Sequence, residues 1–177
     1  MKKKLILIVL TPIALIIAFV FLLLVVGLLS PKQHTVARTL KTKQSQETIW
    51  RTITDFQTQP AWRKGLQKVE RGPDHNGKEV WIEFYVDGDV IPLETTETKS
   101  PNRIVRAIAD PNLPFSGVWE MEVKSEADGS SLTITERGEI PDALLRGFVK
   151  VFMGYAWSID HYHSELAAKF GEQSLIQ

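Results

Sequence analysis

Hydrophobic positions follow three different rules along this chain. From Leu5 to Leu29 there is no alternation: the run is uncharged, and Thr11 is its only clearly polar side chain. At about 1.5 Å per residue, a helix of that length exceeds the roughly 30 Å hydrocarbon core of a bilayer. Lys2, Lys3 and Lys4 precede it and Ser30-Pro31-Lys32 end it. A cleaved signal peptide has a shorter apolar core, about 7–15 residues, and then a small-residue cleavage site. Gly27-Leu28-Leu29-Ser30-Pro31 offers no such site, so the run predicts an uncleaved single-pass anchor, with Pro12 a tolerated kink.

The second rule is alternation. Thr35 to Lys43 reads as a first strand. Ser45 then offers an N-cap, Ile49, Trp50, Ile53 and Phe56 recur at helical spacing, and a short helix over 46–55 is expected. Pro60 opens a second short helix or turn that Gly65 ends. Strands are expected around Val69, over Val80–Val86, Val90–Thr98, Arg103–Ala109, Gly117–Lys124 and Leu132–Ile140. Turns at Asn76-Gly77, Asp87-Gly88, Pro101-Asn102 and Asp128-Gly129 separate them.

The third rule is the 3.6-residue period. After Pro141-Asp142, apolar residues from Leu145 to Phe170 fall at three- and four-residue steps, and Gly171 is a C-terminal stop. The pattern predicts one long helix. Gly147 and Gly154 lie inside it as sites of a bend or a close approach. A meander with one apolar face must bury that face, and this helix is the element left to cover it. The fold class is therefore α+β: a curved antiparallel sheet of about six or seven strands on one long C-terminal helix, plus the N-terminal helix. The division is an anchor, residues 1–31, and a domain, residues 32–177.

Composition adds three constraints. The domain holds all 21 acidic residues and 18 basic ones, a net of −3 with histidine neutral, so nothing points to nucleic acid. The absence of cysteine excludes a lipid-modified cysteine and leaves the compartment open. Flanking charges are nearly balanced, with Lys2–Lys4 on one side and Lys32, Arg38, Lys41 and Lys43 on the other. The tight lysine cluster on a very short tail predicts a cytoplasmic N-terminus and an extracytoplasmic domain.

The order of these segments resembles the START-like helix-grip superfamily, in its polyketide cyclase/dehydrase-like branch. The resemblance rests on SQETIWRTITD at 45–55, PAWRKGLQKVE at 60–70, LPFSGVWEMEV at 113–123, LTITERGEI at 132–140 and ELAAKFGE at 165–172. It implies a helix-grip fold with a cavity between sheet and C-terminal helix that holds sterols, lipids, polyketides or other apolar molecules. No catalytic motif is shared across the superfamily, so none carries over. The N-terminal anchor departs from the minimal single-domain pattern.

Candidate cavity residues are Trp62, Phe84, Trp119, Met121, Phe148, Phe152 and Tyr155; the plain alternative is that they fill the core. Glu136 shares strand parity with the apolar Leu132 and Ile134, which turns it inward as an orienting or acid/base carboxylate. Pairing with Arg106 is the structural alternative, and Glu94 is a weaker case of the same kind. His161 and His163, two apart on a helix, point to different faces and read as solvated helix surface, not as a metal pair. His34 and His75 are isolated. No metal or cofactor is expected.

Three functions follow: a membrane-anchored binding domain for an apolar small molecule or lipid, a cyclase or dehydratase using Glu136, and an interaction protein with a filled core. The first is preferred. The oligomeric state is open.

Overall fold

The computed structural model describes residues 2–177, with side chains from Leu10 onward; Met1 and the side chains of residues 2–9, the Lys2–Lys4 cluster among them, lie outside it. The apolar run forms helix α1 (Lys2–Leu29), with Pro12 inside it. Leu10–Leu29 is long and apolar enough to cross a bilayer. Ser30 closes the helix by donating its hydroxyl to the Val26 carbonyl at 2.7 Å.

Eight strands make one antiparallel sheet. Its consecutive members are β2 (Leu66–Arg71), β3 (Val80–Tyr85), β4 (Val90–Lys99), β5 (Arg103–Ile108), β6 (Ser116–Glu126) and β7 (Gly129–Glu139). The N-terminal strand β1 (Gln33–Thr42) then pairs with β7 along its whole length, from Gln33 opposite Glu139 to Thr42 opposite Ser130. A two-residue strand β8 (Leu175–Ile176), absent from the sequence expectation, pairs with Leu40 and Lys41 of β1. The long β6–β7 hairpin turns at Gly129, whose φ of 137° suits a residue without Cβ.

Helix α2 (Gln46–Thr54) follows β1. Ser45 caps it by accepting the Thr48 amide, and Ile49, Trp50 and Ile53 are buried. They pack with Leu40, Ile104, Met121, Val123, Leu132 and Ile134 from the sheet.

The C-terminal helix is not continuous, which corrects the expectation of one long helix. It divides into α3 (Ala143–Phe148), a π turn over Val149–Met153, and α4 (Trp157–Lys169). The break is at Gly154, with φ 76° and ψ 153°, a conformation open essentially to glycine alone. Apolar spacing carries across this point although the two halves meet different neighbours, α1 before the break and the sheet after it.

Of these two halves α4 is the one that covers the sheet, through Ile159, Tyr162 and Leu166. It ends at Gly171 (φ 69°), the expected stop. Helix α3 instead packs on α1. A Cβ on Gly147 would lie 1.9 Å from the Leu23 carbonyl oxygen, and one on Gly27 would lie 1.7 Å from that of Ala143. Both glycines are thus required by the backbone approach. So of the two internal glycines, Gly147 serves a close approach and Gly154 a bend.

Candidate functional site

The inner face of the sheet, under α4, carries the unusual chemistry. Trp119 of β6 stands directly across from Glu136 of β7. Its indole Nε1 donates to Glu136 Oε2 at 2.7 Å, and Ser158 of α4 donates to the same oxygen at 3.1 Å. Glu136 Oε1 lies 3.1 Å from Nε2 of His34, from the start of β1. The His34 ring is stacked on Tyr155 with centroids 4.1 Å apart. Gly138 makes room for that ring: a Cβ there would stand 2.4 Å from His34 Cε1. One carboxylate thus ties β1, β6, β7 and α4 together, immediately after the helix break. The inward turn of Glu136 follows its parity with the buried Leu132 and Ile134.

A second polar group lies further along the same face. Trp119 and Trp62 both pack edge-on against Tyr162, at centroid distances of 5.7 and 5.3 Å. Beyond Tyr162, Glu83 Oε1 receives Arg63 at 3.1 Å and Arg106 at 3.4 Å, while Tyr85 donates to Glu83 Oε2 at 2.6 Å. All three charged side chains are nearly sequestered from solvent. Burial by itself would raise the Glu83 carboxyl; the two guanidiniums outweigh it and hold the group below the usual carboxylate range. Arg106 is also seated over the Phe56 ring at 4.0 Å.

Several buried polar atoms on this face have no hydrogen-bond partner: His34 Nδ1, Tyr155 Oη, Trp62 Nε1 and Tyr162 Oη. Buried polar groups are normally paired, so these four atoms leave hydrogen-bonding capacity unused on this face.

A family model described as polyketide cyclase / dehydrase and lipid transport matches residues 33–167. The chain belongs to this family. Among solved structures it is similar to a START superfamily protein from Mycobacterium smegmatis, at 15% identity and a TM-score of 0.60, covering 77% of this chain and 96% of that one. A protein from Mesorhizobium loti matches at 17% identity and a TM-score of 0.56, over 78% and 99% of the two chains. The di-domain ARO/CYC StfQ of the steffimycin biosynthetic pathway matches at 10% identity and a TM-score of 0.58, over 76% of this chain and 50% of that one. No curated protein matches the sequence. At such identities the likeness is one of fold, and it fits the START-like helix-grip architecture. The polyketide cyclase / dehydrase and lipid transport match begins just after α1 and runs through the interrupted helix.

Against that family architecture the residues singled out from the sequence fall into three places. Trp62, Trp119, Met121, Glu136 and Tyr155 are on the inner side or its margin, Met121 between Ile104 and Ile134 in the core. Phe84 lies on the opposite face, with Lys68 Nζ 4.1 Å above its ring, because the inward parity of β3 belongs to Trp81, Glu83 and Tyr85. Phe148 and Phe152 point away from the sheet and are about half exposed. Glu94 instead meets His75 and Lys78 at the surface, and Arg106 takes Glu83 in place of Glu136.

Sequence reasoning missed His34, Ser158, Arg63 and Glu83. The signal for Glu83 was present, since it shares parity with two aromatic residues on β3. His34 gave none, because only the β1–β7 register brings it to Glu136. His163 is a further correction: it is fully buried, while its neighbour His161 is exposed and stacked on Trp157.

Proposed function

We propose that this chain is a single-pass membrane protein, with an anchor in residues 1–31 and a domain in residues 32–177 that holds an apolar small molecule or lipid between sheet and α4. The observation that carries the reading is the inner face itself: an aromatic surface of Trp62, Trp119, Tyr155 and Tyr162 bearing unpaired buried polar atoms beside Glu136. Aromatic area supplies the burial, at about 25 cal/mol per Å² of apolar surface removed from water. Glu136, His34 and Ser158 supply the few convergent polar groups that orient a ligand. Membership in a family described by lipid transport agrees with this.

The Lys2–Lys4 cluster supports an extracytoplasmic domain. Protease added outside intact cells then degrades the domain; survival of the domain reverses the topology.

The deciding test is native mass spectrometry of the detergent-solubilised full chain, followed by organic extraction. A stoichiometric apolar adduct is expected, and it is lost on Trp119→Glu. A folded chain that carries no adduct and takes up no added fatty acid or phospholipid overturns the reading.

A second reading has one observation in its favour. The 3.1 Å contact of His34 with Glu136 is the geometry of an acid/base pair, and the family description also names cyclase and dehydrase. Under this reading Glu136→Gln abolishes turnover of an added polyketide-like substrate and leaves its binding unchanged.

A further inference from the structure

Beyond residue 31, nine large apolar side chains are exposed among the described residues, and six of them are Leu144, Phe148, Val151, Phe152, Met153 and Trp157. The clustering is confined to α3, the π turn and the first residue of α4. These residues border α1. Gly27 meets Ala143 and Gly147, Leu23 meets Gly147, and Phe19 meets Phe152 with centroids 6.0 Å apart. As α1 is followed back toward its N-terminus, the partner numbers rise, so the two segments run antiparallel.

From this we infer that residues 143–157 enter the bilayer alongside α1 as a second, re-entrant membrane element, with lipid as the occupant of their exposed apolar face. The inference rests on the reading of α1 as a membrane span. From Leu29 to Phe19 is about 15 Å of helix at 1.5 Å per residue, so Phe152 reaches near the middle of a roughly 30 Å core.

The alternative arrangement fails on length. If residues 143–152 stayed in water, the part of α1 packed against them, residues 19–29, would be in water too. The remaining uncharged stretch, residues 5–18, would span only about 21 Å, well short of the core.

The chemistry of the segment agrees. It contains no acidic residue and two basic ones. The Arg146 guanidinium is buried and consumed by carbonyl oxygens. Lys150 is exposed, and its long stem returns the ammonium toward the headgroups. At the break, Gly154 N–H donates to the Val149 carbonyl at 2.8 Å and Trp157 N–H to that of Gly154 at 3.3 Å, so two of the backbone donors there are paired within the segment. Trp157, half exposed, belongs to the residue type that collects at membrane interfaces. The arrangement holds the domain against the bilayer, the chain returning through the helix break to Tyr155, stacked on His34, and to Ser158 beside Glu136.

The chain has no cysteine, so single cysteines can be placed freely in the full-length protein. Leu15→Cys reports on α1, Val151→Cys and Phe152→Cys on the new element, and Ser125→Cys on the far hairpin. Each carries an environment-sensitive NBD label in vesicles of phosphatidylcholine and phosphatidylglycerol. Positions 151 and 152 are expected to match position 15, with blue-shifted emission, quenching by doxyl-labelled lipid, and loss of iodide quenching. Position 125 should show the reverse. If position 15 is lipid-quenched while 151 and 152 remain open to iodide, the inference fails and the anchor stands. Protection of 151 and 152 from both quenchers marks a protein interface and also overturns it. Iodide access at position 15 overturns the anchor itself, and the inference with it.

Discussion

The Arg146 side chain donates from Nε to the Gly27 carbonyl at 2.8 Å, joining α3 to the last turn of α1. The same guanidinium serves the carbonyls of Ser30 at 3.1 Å, Ile140 at 2.6 Å and Pro141 at 2.9 Å. The last carbonyls of a helix have no partner within it and carry its negative end, so a buried cation there answers both needs. The planar fork of arginine suits four diverging oxygens as an ammonium does not. Arg146→Met is expected to destabilise the full-length protein in detergent by about 2–3 kcal/mol, the scale of hydrogen bonds to a charged group. Hydrogen exchange would localise the effect to residues 27–30 and 140–147. Recovery by Arg146→Lys should be partial at most, and full recovery would mean that charge alone matters there.

Glu83 separates interaction strength from net stabilisation. Two buried guanidiniums face its carboxylate. Removing the charge with Glu83→Gln strands both, and the expected loss is about 3–5 kcal/mol. Arg106→Met should cost less, because Arg63 still neutralises Glu83. Urea unfolding of the two single variants and the double variant would measure the coupling. Equal losses in the two singles would contradict this account.

Much of this architecture was legible in the residues and some was not, for reasons that can be stated. The alternation of β6 and β7 located Trp119 and Glu136, because a two-residue period survives as long as one face is buried. Phe84 was misplaced since β3 has apolar residues on both faces: Val80 is buried on one and Glu83, with its arginines, on the other. There hydrophobicity points the wrong way and the charged residue is the inward one. The helix break was hidden for a related reason. Apolar spacing through residues 145–159 continued unbroken while the neighbouring element changed from α1 to the sheet. Gly154 was the visible mark, and its conformation gave it meaning.

His163 yields a pH prediction whose sign is fixed by burial. The side chain is fully buried with both ring nitrogens unpaired, and desolvation pushes its pKa down to about 4, from 6.5 in the open chain. Between those values the unfolded state holds a proton that the folded state lacks. Stability is therefore complete above the upper value and declines as pH falls toward the lower, by about 3 kcal/mol at most. Glu83 also loses stabilisation in acid, but its folded-state pKa lies below the usual carboxylate range, so its loss extends to lower pH. Chemical denaturation of His163→Leu against the parent chain across this window should show that the slope disappears. An unchanged slope would assign it elsewhere.

Glu136 bears on stability through the partners of both its oxygens. Its two oxygens accept from Trp119 and Ser158 and contact His34. In Glu136→Gln one of those positions receives an NH2 group. If it faces Trp119 and Ser158, donors oppose donors; if it faces His34, the imidazole must change tautomer to accept. A modest destabilisation of about 1–3 kcal/mol is expected. Glu136→Ala leaves the Trp119 and Ser158 donors unserved and should be worse. Thermal melts of both variants check the order, and reversal would mean that the carboxylate is strained in place.

The last prediction concerns the contact between α3 and α1. The absent Cβ of Gly147 would stand 1.9 Å from the Leu23 carbonyl oxygen, a backbone atom that no rotamer change can move aside. Gly147→Leu must therefore lift α3 from α1. The core around Leu40, Ile134 and Leu166 lies under α4 on the far side of the Gly154 break, so the sheet and its burial should persist. What goes is the pair of Arg146 bonds to Gly27 and Ser30, while those to Ile140 and Pro141 are local enough to remain. Limited proteolysis in detergent should reveal new cleavage between residues 141 and 156 with a protected core fragment. If Gly147→Leu instead unfolds the whole domain, then α3 and α4 act as one cooperative unit, and the Gly154 break does not separate the half of the helix that packs on α1 from the half that grips the sheet.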